Sequence, residues 1–98
     1  MYEEPWSDIR EYPEQHKAAL EAELKSEIGG DHMLANRALS ILAKREDQDD
    51  VLVLGEGGFY IVHLTWSGRT EPAPYPVTER FASKEHLEMK LAQDAQWY

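Results

Sequence analysis

The chain has no cysteine, so it offers no disulfide framework, no thiolate zinc site and no cysteine nucleophile. It is also short of base: 10 lysines and arginines stand against 19 acids, a net charge of -9. A nucleic-acid binder needs a basic face that releases counterions from phosphates, and an anionic membrane attracts the same face. The charge argues against both partners. No apolar run exceeds four residues, as in Val51-Leu52-Val53-Leu54, which argues against a membrane-spanning helix. Residues 1–10 show no apolar stretch behind basic residues, so no export signal is read there and a cytoplasmic location is expected. No motif calls for a cofactor.

What is present fits one small domain: 98 residues with 42% apolar content support a thin core. Residues 1–98 read as a single domain, with 1–12 as an irregular lead-in offering Trp6 and Ile9 for packing. The acid is concentrated early. Residues 1–30 carry 8 acids and 3 bases, whereas residues 59–98 carry 5 and 4.

Pro13 suits the first turn of a helix, and Leu20, Leu24 and Ile28 then recur every four residues until Gly29-Gly30 stops the pattern. Residues 31–45 fit two readings. Asp31 would cap a helix carrying Leu34, Ala38 and Leu42, while Leu39, Ile41 and Ala43 alternate as a strand does. The run from Val51 through Gly55-Glu56-Gly57-Gly58 to Trp66 predicts a β-hairpin. Its second strand sorts Tyr60, Val62, Leu64 and Trp66 onto one face and Phe59, Ile61, His63 and Thr65 onto the other. Both faces are apolar, so the strand is expected at the centre of a sheet. Pro72, Pro74 and Pro76 make 69–76 a loop, Val77 to Phe81 returns as a short strand, and Ser83 caps a last helix carrying Leu87, Leu91 and Ala95.

Few constellations carry chemistry. Glu46, Asp47, Asp49 and Asp50 place four acids within five positions. The order is wrong for an EF-hand loop, so no metal is assigned, and an acidic turn that attracts a basic partner is the better functional reading. His63 could act as a base with Thr65 or Ser67 as nucleophile, and Asp49 or Asp50 as the nearest acids. A half-buried histidine with a hydrogen-bonded ring is the commoner situation. Trp66, Arg69 and Tyr75 are residue types enriched at binding hot spots; Trp66 is expected to pack in the core, Arg69 and Tyr75 to be exposed.

Asp49-Asp50-Val51-Leu52, then Val62-His63-Leu64-Thr65-Trp66-Ser67-Gly68, then Glu71 and Pro76 resembles the pattern of an uncharacterised family of small bacterial proteins. The likeness spans roughly residues 24–82, and no activity attaches to that family. It implies a strand at about 38–45, leading through Ala43-Lys44-Arg45 into the acidic turn.

The expected fold is α+β: an N-terminal helix, an antiparallel meander of three to four strands and a C-terminal helix, with both helices on one face. The two-sided apolar strand Phe59–Trp66 would then need either a second copy over its bare face, making a homodimer, or partial exposure of that face. The expected function is a non-catalytic protein-interaction domain, immunity-like or regulatory, whose acidic surface engages a basic protein. Its candidate binding residues are Asp49, Asp50, Trp66, Arg69 and Tyr75. The alternative is a small enzyme or ligand-binding domain using His63 with Asp49 or Asp50.

Overall fold

Alternating and β-branched segments too short for stable helices must find neighbours to pair with. In the computed structural model, which describes residues 2–70, 72 and 75–97, five of them join one antiparallel sheet. They are β1 (Trp6–Asp8), β2 (Ser40–Arg45), β3 (Asp50–Gly55), β4 (Gly58–His63) and β5 (Thr78–Phe81), hydrogen-bonded in sequence order. Helix α1 (Glu14–Glu27) lies between β1 and β2, and α2 (Lys84–Trp97) closes the chain. The α+β meander is therefore present, with one more strand than the three to four expected. The extra strand is β1, inside what the sequence reads as an irregular lead-in. Three residues cannot display a period of two. Its pairing with β2 places Trp6 opposite Arg45 and Asp8 opposite Ala43.

The helices lie on opposite faces of the sheet, which corrects the expectation of a shared face. On one side, Leu20 and Leu24 of α1 pack with Ile41, Val51, Val53, Tyr60 and Val62. On the other, Leu87 of α2 packs with Trp6, Ala43, Leu52 and Ile61. A β-bulge in β2 divides the two sets, since Ile41 pairs with Val53 but Ala43 pairs with Leu52. The extra residue, Leu42, lets Ile41 and Ala43, two apart in sequence, face opposite cores. Because β4 is covered on each side, the bare face that called for a homodimer does not exist.

Helix α1 begins directly after Pro13, and the Ile28 N–H closes it on the Leu24 carbonyl at 3.3 Å. Residues 31–37 form no second helix. Tight turns run from Ala35 N–H to the His32 carbonyl and from Arg37 N–H to the Leu34 carbonyl, and Asn36 sits at φ 59°. Leu34 is nevertheless buried under α1. Of the two readings of 31–45, the strand prevails at Ser40–Arg45. The β3–β4 hairpin needs its glycines. Gly57 has φ +82°, and a Cβ on Gly58, at φ +146°, would stand 2.7 Å from the Phe81 carbonyl oxygen. Ser83 accepts the His86 N–H at 3.2 Å and so caps α2 as expected.

Candidate functional site

Antiparallel order brings the β2–β3 turn and the chain after β4 to the same end of the sheet. There the Asp49 carbonyl accepts the Leu64 N–H at 2.8 Å, and the Glu46 N–H reaches the Pro5 carbonyl at 2.7 Å. The four acids of the turn divide into two kinds. Glu46 and Asp49 are exposed and make no ion pair among the described residues, whereas Asp47 and Asp50 are engaged. Arg45 Nε donates to Asp47 Oδ1 at 2.6 Å, and this bond holds the Asp47 carboxyl below its ordinary pKa.

Arg45 also reaches buried Asp94 of α2 at 3.2 Å. Asp94 further accepts the Trp6 indole N–H at 2.9 Å and the Lys90 ammonium at 2.8 Å. One carboxylate thus ties β1, β2 and α2 together, each donor giving it a bond it could not leave unmade in a buried site.

Beside this network, His63 Nδ1 lies 2.6 Å from Asp50 Oδ1, so the two share a proton. Asp50 is buried, and burial raises its pKa despite the facing imidazole. The other ring nitrogen is 3.6 Å from Glu79 Oε1. His63 is the last residue of β4 rather than mid-strand, and its N–H is spent on the Val77 carbonyl. In a catalytic triad an aspartate orients an imidazole in this way, but only beside a nucleophile. The nucleophile is not in place. The Ser67 hydroxyl donates to the Arg69 carbonyl, and the Thr65 hydroxyl accepts the Ser67 N–H.

The strand period fails after Leu64 because α1 captures the chain. Glu27, fully buried at the end of the helix, accepts the Thr65 N–H at 2.8 Å and the Trp66 N–H at 2.8 Å. Glu23, one turn earlier, accepts the Gly68 N–H at 3.0 Å. The two carboxyls share a hydrogen bond: burial raises Glu27, while the bond from Glu27 lowers Glu23. Trp66 is forced to φ 57° and its ring turns outward, 46% exposed. The expectation of a core tryptophan is overturned. Neither glutamate was singled out in the sequence, although positions 20, 23, 24 and 27 fall on one helical stripe, which marks both as inward-facing.

Arg69 and Tyr75 are exposed as expected, and Val77 adds apolar surface. No ring contact or hydrogen bond joins Trp66, Arg69 and Tyr75 among the described residues. Glu71, Ala73 and Pro74, part of the expected loop, lie outside the described residues. The loop is anchored by buried His32, whose Nδ1 accepts the Leu34 N–H at 3.0 Å, leaving Nε2–H for the Pro76 carbonyl at 2.9 Å.

Among the described residues no group of three His, Asp or Glu side chains converges in a metal-holding arrangement, and no helix is long and apolar enough to cross a membrane. The fold and site define a five-stranded α+β protein with an acidic, aromatic loop end. Compared with known proteins, the chain matches no family model, no curated protein and no solved structure.

Proposed function

We propose that the chain is a non-catalytic protein-interaction domain, immunity-like or regulatory in type, which engages a basic partner through the loop end of its sheet. The observation that supports this most is the junction of the acidic turn with the Trp66 loop through the Asp49–Leu64 hydrogen bond. It joins the turn that carries exposed Glu46 and Asp49 to the segment that leads into exposed Trp66, whose backbone N–H is held by Glu27. Exposed acid steers a basic partner, and a rigid aromatic anchor supplies contact area at little entropic cost.

The test is capture from an extract of the native host, comparing wild type with two paired variants. Glu46→Lys with Asp49→Lys should abolish retention of a basic protein, and Trp66→Ser with Tyr75→Ser should weaken it. Retention that ignores both changes would contradict the proposal.

The 2.6 Å Asp50–His63 pair favours a second reading, a small enzyme or ligand-binding domain with His63 as proton acceptor. It predicts an activity lost in a fully folded His63→Gln variant.

A further inference from the structure

The other end of the sheet has the opposite character. A cleft of about 520 Å³ opens where β1 ends, β2 begins and β4 begins, and α2 starts at its rim. That volume suits a small ligand. Its lining includes the apolar side chains of Leu42, Phe59, Leu87 and Leu91. Leu42 stands there because of the bulge, which bends β2 where its neighbours Ile41 and Ala43 turn to opposite cores.

The charge of the rim is out of keeping with the chain. Three of its 10 bases, Arg10, Lys17 and Lys84, line the cleft, against two of its 19 acids, Asp8 and Glu88. Asp8 is already satisfied, since Arg10 gives it bonds of 3.0 and 2.8 Å. Among the described residues Lys17 and Lys84 make no ion pair, not even Lys84 with Glu88 one turn on. Lys84 is also the first residue of α2, so the positive end of a 14-residue helix lies at the rim. Ser40 and Tyr2 add hydroxyls that bond no other group among the described residues.

We propose that this cleft binds a small aliphatic carboxylate, its chain against the leucine and phenylalanine side chains and its head between Lys17 and Lys84. A neutral ligand would leave the two ammonium groups unused. A dianion would meet Glu88 and the field of a chain at -9.

The probe is sodium octanoate, compared with 1-octanol and octylamine, which carry the same chain with no charge and with the opposite charge. Calorimetric titration and melting temperature are read below the micellar range. Octanoate should bind and raise the melting temperature, octanol should bind about tenfold more weakly, and octylamine should not bind. Lys17→Gln with Lys84→Gln, shown to be folded by circular dichroism, should bring octanoate down to the level of octanol. Glu88→Gln should tighten octanoate binding by removing a repulsion. Equal binding of the three probes, unchanged octanoate affinity in the lysine variant, or no octanoate binding at millimolar concentration would each overturn the proposal.

Discussion

The two ends of the sheet are built from the same strands and helices yet carry opposite chemistry. Helix α1 runs from Lys17 at the cleft to Glu23 and Glu27 at the loop, and α2 runs from Lys84 at the cleft to Asp94 beside Trp6 and Arg45. At the loop end, acid is buried and made structural: Glu27, Asp50 and Asp94 each accept bonds that fix backbone or side chains. At the cleft end, Arg10, Lys17 and Lys84 share the lining with Leu42, Phe59, Leu87 and Leu91. The difference teaches that a net charge of -9 describes the molecule poorly. Several of its acids are internal fasteners, while the exposed ones, from Glu3 and Glu14 to Asp49, Glu56 and Glu88, are spread over the surface.

If the loop end is fastened by its buried carboxylates, breaking them should cost more than any change at the cleft. Asp94→Ala removes the acceptor of Trp6, Arg45 and Lys90 at once and should destabilise by about 3–5 kcal/mol, read by urea unfolding. A loss below about 1 kcal/mol would mean that Arg45 and Trp6 find other partners. Glu27→Ala leaves the Thr65 and Trp66 N–H groups without their acceptor and should cost about 2 kcal/mol. It should also redden the emission of the exposed Trp66 loop and speed exchange of those amides. His63→Ala, which strands buried Asp50, should cost roughly 1–2 kcal/mol.

Titration sharpens the same contrast. Glu27 and Asp50 have raised pKa values, so the folded state holds their protons more tightly than the unfolded chain does. Their contribution is complete below the ordinary carboxylate value of about 4 and is lost as pH rises through the folded values. Asp8, held down to about 2 by Arg10, and the lowered Asp47 and Glu23 act in the other sense. Theirs is present above the ordinary value and lost as pH falls through the folded ones. The melting temperature should therefore rise as neutral solution is mildly acidified, then fall in strong acid. Glu27→Gln should flatten the first limb, and a wild-type curve that falls steadily from neutral pH would contradict the assignment. The smallest effects belong to exposed charge. Asp49→Asn and Lys84→Gln should each change stability by less than about 0.5 kcal/mol, whereas Asp50→Asn should lower it, separating two neighbours that look alike in sequence.

Much of this architecture was legible in the chain. The Leu20–Leu24 spacing marks α1, Gly57-Gly58 marks the hairpin, and Ser83 marks the start of α2. What was hidden depends on contacts distant in sequence. A three-residue strand has no periodicity, so β1 emerges only from its pairing with β2. The bulge at Leu42 cannot be read from alternation, which would put Ile41 and Ala43 on the same face. Trp66 follows the alternation of β4 until Glu27, 39 residues earlier, takes its N–H and turns the ring out. The exposed pair Arg69 and Tyr75 was legible because proline denies that loop a place in the sheet. The Asp50–His63 pair was half legible, as both residues were candidates but their register was not.

The division of the molecule into two unlike ends can be tested in one amide chemical-shift mapping experiment. The labelled protein is titrated in parallel with a lysine-rich peptide and with octanoate. The peptide should move amides at residues 46–50 and 63–69, with shifts that shrink as salt screens the acid. Octanoate should move those at residues 8–10, 40–42 and 84–91. If both probes move the same residues, or if each scatters over the whole surface, the two ends are not distinct sites and the account fails.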